Sequence, residues 1–527
     1  MRADEQVVAT PGRWLILLAM TGSLAMIMLD TTVVAVALPS IQKSLGVDQN
    51  MLEWVIVAYL VILASFMALG GRFGDVIGKP RAFVIGIIGF GVSSLLSGLA
   101  WNGEALIGFR IMQGFFAVIM QPSSSAIVIN SFAPGERGKA MAVYAGIPLL
   151  FLTAGPVLGG FITEYGSWRY CFLLNVPVAA AVSVAAIILR IPDVRKPLIR
   201  FDWLGTILLG LGMPSLIIAI QQASEWGWDS PITIGLLASG VVLLVCFAVI
   251  EFRIEDPIVS LGLFRMRTFL GDSLLLFCAQ ACLTGVSIFG LIHLLVVRGF
   301  SRDRAGLAML PVLLPAALMI YAAGRAFDRM GGRVPVILGG ALISVGLGAL
   351  ALGMDERSYL VMAIGMCTIG TGVPFVQLPA NTDGLGRVDS TSRGTASGVL
   401  QTFRQSGAVI GLAAMGAVIA GTQAAELDRD PELRAHATLA ESSLLDRAAR
   451  GNADALRKLR EEDPDTAGEL ARVVSDGISI GMWSASGFAL SMVAVGLTMI
   501  GREPPVRRRR RGAEDDEPLE RALDEIG

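Results

Sequence analysis

Apolar residues in this chain come in long unbroken runs rather than in the one-face patterns of soluble helices and strands. A helix needs about 20 apolar residues to cross a hydrocarbon core. Runs of that length lie near 14–38, 51–70, 82–100, 103–126, 139–163, 169–190, 203–222, 232–251, 269–296, 305–325, 334–353, 358–379, 397–421 and 476–501. They are rich in Leu, Ile, Val, Ala and Gly and lack the ten-residue alternation of membrane strands. The expected class is therefore an all-α polytopic membrane protein with fourteen transmembrane helices. The first run follows Arg13 and contains Ala35-Val36-Ala37, which imitates a leader cleavage site. Its apolar stretch exceeds the roughly 7–15 residues of a leader, so a full span is expected.

Composition narrows the class further. Of 527 residues, 54% are hydrophobic and 16% charged, against roughly 25% charged in soluble domains. So few charges cannot cover several globular surfaces. The net charge of −2 gives no reason to expect a nucleic-acid partner. Cys171, Cys246, Cys278, Cys282 and Cys367 fall inside apolar runs without disulfide or metal-ligand spacing, and the histidines are His293 and His436. Neither a metal site nor a catalytic triad is expected. There is no GxxxxGK[ST] loop, so ATP-driven work by this chain alone is not expected either. The chain reads as a non-enzyme without cofactor.

Lysine and arginine set the orientation. With the N-terminus inside, the inner loops hold Arg72, Lys79, Arg81, Arg137, Lys139, Arg195, Lys196, Arg200, Arg325, Arg329, Arg333, Arg387 and Arg393, among others. With the tails the inner count is roughly 25 against roughly 6 in short outer loops. Arg298, Arg302 and Arg304 dissent in one outer loop. Both termini are expected in the cytoplasm, and the Ala-, Arg- and Gly-rich composition points to a bacterial inner membrane. Segment 422–475 is then an extracytoplasmic loop, amphipathic and partly helical, either a solvated cap or a lid. The run Arg507–Arg511, followed by acidic residues 514–517, is expected to anchor on anionic lipid head groups. The expected organisation is a tail 1–13, a six-helix bundle 14–190, a linker 191–268 with two inserted helices, a second six-helix bundle 269–501 and a tail 502–527.

Two inner loops repeat. Gly71-Arg72-Phe73-Gly74-Asp75-Val76-Ile77-Gly78 and Gly324-Arg325-Ala326-Phe327-Asp328-Arg329-Met330-Gly331 share Gly, Arg, Asp and Gly at one spacing. The first joins spans two and three, the second spans ten and eleven. Two equivalent six-span halves with two extra spans between them explain that offset, and such parallel repeats are a transporter architecture. A basic turn that only sets topology accounts for the Gly and Arg, but not for the recurring Asp. The Asp is expected either to cap the next helix or to pair with arginine across the bundle interface.

At these residues the chain resembles the major facilitator superfamily. Gly71–Arg81 is similar to its loop motif. Leu29-Asp30-Thr31-Thr32-Val33-Val34-Ala35-Val36-Ala37-Leu38-Pro39 resembles the first-span motif of drug/proton antiporters, and Arg110-Ile111-Met112-Gln113-Gly114 the fourth-span motif. Ala154-Gly155-Pro156-Val157-Leu158-Gly159-Gly160 resembles the fifth-span antiporter motif. Trp168-Arg169, Phe172 and Asn175-Val176-Pro177 resemble the sixth-span signature of the fourteen-span EmrB/QacA branch. The fifth-span motif has glycine where this chain has Phe151, beside Pro148, which puts the local helix contact in question. The resemblance implies a major facilitator fold, and a drug/proton antiporter that works by alternating access.

Asp30 sits well inside span one, where a carboxylate is expensive and is by default functional. Burial disfavours its charged form, so it can load and release a proton. The alternative is a structural carboxylate held by a hydroxyl of its own helix. Arg110, in span four, needs a partner or must snorkel to head groups; Asp30 is the expected partner. The resemblance implies that Arg110 and Gln113 tune the proton site. Gly71, Arg72, Asp75, Gly78, Arg81 and Asp328 are expected to form a latch on the inner side. Gly155, Pro156, Gly159 and Gly160 are expected to serve close helix approach and bending. Gln280, Gln377, Asn381, Gln401 and Gln405 are candidate substrate contacts or interhelical hydrogen bonds. Arg404 is expected to snorkel and His293 to cap the outer end of span nine. The expected partners are protons, an amphipathic small molecule and membrane lipids, with the protein a monomer. Export of a lipid, glycolipid or metabolite on the same scaffold, or a membrane sensor without transport, are the alternatives.

Overall fold

The computed structural model describes residues 12–47, 49–193, 202–227, 230–254, 257–259, 262–300, 302–355, 358–429 and 464–501. The tails 1–11 and 502–527 with Arg507–Arg511, the middle of the 422–475 loop, His436, and Arg195, Lys196 and Arg200 lie outside the described residues. Every regular element among those described is helical. The long helices are α1 (Arg13–Leu45), α2 (Gln49–Ile77), α3 (Lys79–Gly98), α4 (Gly103–Ser131) and α5 (Arg137–Tyr165), then α6, broken into Arg169–Leu173 and Asn175–Ile188. They continue with α7 (Trp203–Trp226), α8 (Pro231–Glu251), α9 (Arg267–Ile292), α10 (Leu310–Met330), α11 (Arg333–Asp355), α12 (Tyr359–Gly386), α13 (Arg393–Arg429) and α14 (Pro464–Thr498).

Among the described residues, 13 helices are long and apolar enough to cross a membrane. The remaining long helix, α5, has 29 residues and includes positions 153, 156 and 157, whose side chains lie outside the described set. The chain is a multi-pass membrane protein. In hydrocarbon each backbone polar group must be satisfied within the segment, which is why the apolar runs become helices and why Leu18, Ile88, Val92, Val241 and Val245 can remain exposed. The helix ends follow local chemistry. Asn102 accepts from Ala105 N at 2.9 Å to start α4, and Gly46, at φ 65, closes α1. Pro177 has no N–H for the Leu173 carbonyl, and α6 breaks at Leu174, just before Asn175. Segment 422–475 is helical at both described ends, because α13 runs on to Arg429 and α14 begins at Pro464.

The packing is two-fold in plan. In the first half α1 packs on α5, α4 on α2 and α3, and α3 on α6. In the second half α9 packs on α13, α12 on α10 and α11, and α11 on α14, the same pattern displaced along the chain. The halves meet along two equivalent seams, α2 with α13 and α5 with α10. The hairpin α7–α8 breaks this symmetry. Helix α7 lies against both α2 and α13 and so covers one seam, while α8 packs on α7. Helix α8 is apolar all round and mostly exposed, as expected of a helix facing lipid. The end of the molecule that carries the loops of Arg72, Arg137, Arg325 and Arg393 is called the basic end, and the other, with the loop of Arg298 and Arg304, the far end.

Candidate functional site

Asp30 lies at the middle of α1, about 25 Å of helical rise from its start, and is 1% exposed. Helix α4 brings Arg110 and Gln113 to it from one face, three residues apart. Arg110 Nη1 donates to Asp30 Oδ2 at 2.6 Å and to Gln113 Oε1 at 2.9 Å, and Arg110 Nε donates to the Val55 carbonyl of α2 at 3.1 Å. Gln113 Nε2 donates to Asp30 Oδ1 at 3.1 Å. The guanidinium also lies over the Tyr59 ring, 4.2 Å from its centre. Arg110 does not snorkel: it is 1% exposed and its donors are turned inward. The hydroxyls of span one do not hold Asp30 either. Thr31 donates to the Ile27 carbonyl, and Thr32 to those of Met28 and Leu29.

Two further residues complete the cluster. Asn175, the first residue after the break in α6, donates from Nδ2 to Asp30 Oδ1 at 2.9 Å and to Ser94 Oγ at 3.0 Å. Ser94 of α3 donates to the Phe172 carbonyl and accepts from Gln113. Asn175 belongs to the Asn175-Val176-Pro177 segment, and its signal is a polar side chain two residues before a proline in an apolar span. Ser94 had no such signal, since serines are common in membrane helices. The cluster thus draws on five helices and neutralises one buried carboxylate with one guanidinium and two amides. A hydrogen bond to a charged group contributes about 1.5–3 kcal/mol. Asn175→Leu is therefore expected to lower the melting temperature of the detergent-purified protein. The same substitution in an Asp30→Leu background should have a smaller effect. Equal effects in both backgrounds would mean that Asn175 does not act through Asp30.

The repeated loops meet across the two seams. Asp75, 1% exposed, accepts from Gly394 N at 3.0 Å and Thr395 N at 2.6 Å at the start of α13. Asp328 accepts from Gly138 N at 2.9 Å and Lys139 N at 3.1 Å at the start of α5. Each aspartate caps a helix, but in the opposite half and not the next helix along the chain, and neither takes an arginine across the seam. The two receptors are themselves a repeat, Arg137-Gly138-Lys139-Ala140 and Arg393-Gly394-Thr395-Ala396, which sequence reading had passed over. The receptor glycines leave room for the carboxylates: a Cβ on Gly138 would meet Asp328 Oδ1, and one on Gly394 would meet Asp75 Oδ1. Gly71 and Gly324 let the backbones close on these same turns, while Gly78 and Gly331 take φ 100 and 76 to end the loops. Lys79 adds an ion pair to Asp75 at 2.7 Å and donates to the Thr391 carbonyl at 3.1 Å. Ser125 with Ser397, and Arg393 with Asn130, extend the closure. Arg81 takes no part in it; it is exposed and lines a recess with Arg190 and Asp193. Arg72 is buried and lies within electrostatic reach of Glu251 at the end of α8.

On α5, Gly155 faces Thr32 of α1 and Gly159 faces Val33 and Val36, so the helix crosses one turn beyond Asp30. Among the described residues nothing lies within 4 Å of a Cβ added to Gly160, so the close helix approach expected there is not seen. The side chain of Pro156 lies outside the described residues. Phe151 is 41% exposed, and Gly155 and Gly159 still meet α1, so its departure from the glycine pattern leaves that crossing intact. Gly155→Ala places a methyl on the Thr32 hydroxyl, and overpacking of this kind costs about 1–3 kcal/mol. Thr32→Ala is expected to rescue the thermal stability of the variant; no rescue would mean that the clash lies elsewhere.

The remaining polar candidates do not form one site. Gln377 Nε2 donates to Gln280 Oε1 at 3.2 Å and Gln280 Nε2 to Thr284 Oγ1 at 3.3 Å, an α12–α9 tie. Among the described residues Asn381 Oδ1 and Gln401 Oε1 are buried without a hydrogen-bond donor, and Gln405 is half-buried on α13. Arg404 is half-buried with its Nε shielded from solvent, and it lies within electrostatic reach of Tyr144 of α5, in the other half. His293 is fully buried at a π-helical turn and does not lie on the surface of the far end.

The family model of the Major Facilitator Superfamily matches residues 20–412. The chain is 34% identical to the puromycin resistance protein pur8 of Streptomyces alboniger over 79% of this chain and 84% of that one. It is 29% identical to the probable actinorhodin transporter of Streptomyces coelicolor over 95% and 93%. Among solved structures, the proton:xylose symporter XylE bound to 6-bromo-6-deoxy-D-glucose superposes with a TM-score of 0.60, covering 94% of this chain and 98% of that one at 13% identity, a likeness of fold. The repeated loops, the two-fold helix plan and the match over most of the sequence give one answer: this chain is a member of the major facilitator superfamily.

Proposed function

We propose that this protein is a proton-coupled exporter of amphipathic small molecules that works by alternating access, with Asp30 as the proton-carrying group. The observation that carries this reading is the carboxylate buried at the middle of α1 against Arg110, with two amide donors as its other partners. Protonation of Asp30 removes the charge that holds Arg110. The guanidinium is left with the Val55 carbonyl, Gln113 and the Tyr59 ring, and α1 is freed to move relative to α4. Because α1 also carries the crossing with α5 at Gly155, a shift of α1 reaches the helix whose start is capped by Asp328. That is a physical route from proton loading to the latch. The glycines at 155 and 159 keep α1 and α5 close enough to transmit it.

The basic end is assigned to the cytoplasm, with both termini there, and the membrane to the bacterial inner membrane. The closed latch then blocks the cytoplasmic route, and this state serves the outer side. Protons enter from outside, and substrate leaves. One chain supplies both halves and the proton site, so a monomer suffices. The names of the relatives, a resistance protein and an antibiotic transporter, support antibiotic-like cargo.

The test is uptake of a panel of anionic, neutral and cationic amphipathic compounds into proteoliposomes under an imposed pH gradient, with the intact protein and Asp30→Asn compared at matched reconstitution. Gradient-driven movement that disappears in the variant supports the reading. Movement that survives unchanged sinks the assignment of Asp30.

A further inference from the structure

Helix α13 presents Ser397, Gln401 and Arg404 at i, i+4 and i+7, one face of the helix. That face is turned to the other half. Ser397 hydrogen-bonds Ser125 of α4 across the seam. Arg404, two turns farther from the basic end on the same face, lies within electrostatic reach of Tyr144 of α5, whose hydroxyl is tied to Ser124 at 2.6 Å. Arg404 therefore lies between the halves, just beyond the layer sealed by the latch, about 16 Å along α13 from its start.

Its guanidinium forms no hydrogen bond or ion pair among the described residues. Its Nε is shielded from solvent and has no acceptor. Arg404 is half-buried, and three other arginines are matched by contrast. Arg110 has Asp30, Gln113 and Val55. Arg393 has the Leu385 and Val388 carbonyls and Asn130, and Arg387 has Asp383 at 2.7 Å. One turn before Arg404 on the same face, Gln401 Oε1 is buried with no donor among the described residues. A cation at membrane depth without a counter-charge is costly, and so is a buried acceptor without a donor. Together they describe a ligand that brings a negative group and an N–H or O–H.

We propose that Arg404 is the anion-receiving residue of the substrate site: the exported molecule carries a carboxylate or an acidic phenol on an apolar body. The planar guanidinium receives the anion, and Gln401 accepts a hydrogen bond from a neighbouring hydroxyl or amine of the ligand. The inference deepens the transport reading, on which it rests, by naming the charge class of the cargo. It also separates the two charged positions of the protein: the carboxylate at Asp30 handles protons and the guanidinium at Arg404 handles substrate.

The test is equilibrium binding of three probes of matched size to the purified full-length protein: a hydroxynaphthoate, its methyl ester and a naphthyl trimethylammonium ion. The naphthoate is expected to bind roughly tenfold or more tighter than the ester, the scale of one charge-assisted contact. The ammonium ion is expected to bind most weakly. Arg404→Gln should erase the preference for naphthoate over ester and Arg404→Lys should retain part of it, while an unchanged helical circular-dichroism spectrum and a monodisperse size-exclusion profile of both variants control for folding. Equal binding of naphthoate and ester by the intact protein, preference for the ammonium ion, absence of naphthoate binding, or full naphthoate affinity in Arg404→Gln would overturn the proposal. The outcome is independent of Asp30. A naphthoate preference alongside gradient-driven transport that survives Asp30→Asn removes only the proton assignment. Transport that depends on Asp30 without any naphthoate preference removes only the anion site.

Discussion

Asp30→Asn is expected to abolish gradient-driven efflux while the protein still reaches the membrane. Asparagine keeps a carbonyl oxygen for Arg110 but cannot take up and release a proton. Its cost to stability is separate from its cost to transport. Removing one partner of a buried ion pair leaves the other uncompensated, at about 3–5 kcal/mol. Part of that is offset here because Arg110 keeps the Val55 carbonyl, Gln113 and the Tyr59 ring. The double variant Asp30→Asn with Arg110→Gln removes the stranded charge and is expected to recover much of the thermal stability. It should not recover transport. Two measurements on one set of proteins, a melting curve in detergent and gradient-driven flux in liposomes, separate the roles. Recovery of both together would mean that the pair is structural and that the proton travels elsewhere.

The second large effect is expected at the latch. Asp75 and Asp328 each accept two backbone N–H groups at the start of a helix in the opposite half, where the helix dipole also favours negative charge. Asparagine at either place keeps the shape and removes the charge. A loss of about 1.4 kcal/mol is a tenfold change in an equilibrium. Each single variant is therefore expected to shift the balance toward an open basic end by roughly tenfold, and the double variant by roughly a hundredfold if the sites are independent. A cysteine at Ser397, in a background with the five native cysteines replaced, reports this directly, because Ser397 is fully buried against Ser125 in the closed state. Its labelling by an impermeant thiol reagent should accelerate in the single variants and more so in the double. An unchanged rate in the double variant would show that the two carboxylates do not hold the basic end shut.

The closed state also explains how one short motif acts twice. The first copy reaches α13 and the second reaches α5, and each receptor begins with arginine and glycine. The chain therefore encodes two copies of both parts of the lock, related by the pseudo-symmetry of the halves. The α7–α8 hairpin breaks that symmetry on the α2–α13 seam alone. There Glu251 at its basic end lies in electrostatic reach of Arg72 from the first loop. The equivalent Arg325 stacks on Tyr321 of its own helix, 5.2 Å from the ring centre. The two arginines of the repeat therefore have different surroundings.

The sequence by itself determined the membrane class, the apolar runs that become helices, the repeat of the two halves and the charged residues of the buried Asp30 cluster. The reason is energetic: a helix in hydrocarbon must be apolar along its whole length, so every exception is visible. Asp30 and Arg110 stand out in that background, and each implies a partner because neither is affordable alone. Only the tertiary structure decided where uncharged and glycine positions act. Asn175 and Ser94 are ordinary polar residues until the broken helix α6 and helix α3 bring them to Asp30. Gly138 and Gly394 carry no chemistry until an aspartate from the other half arrives. Gly160 belongs to the same motif as Gly155 yet meets none of the described residues closely, because a helix turns successive residues by about 100°. Arg404 reads as a snorkelling residue near a helix end when depth is the only coordinate. Its place on the face that carries Ser397 to the other half depends on how α13 is rotated in its bundle, and rotation about a helix axis is fixed by packing, which no apolar run encodes.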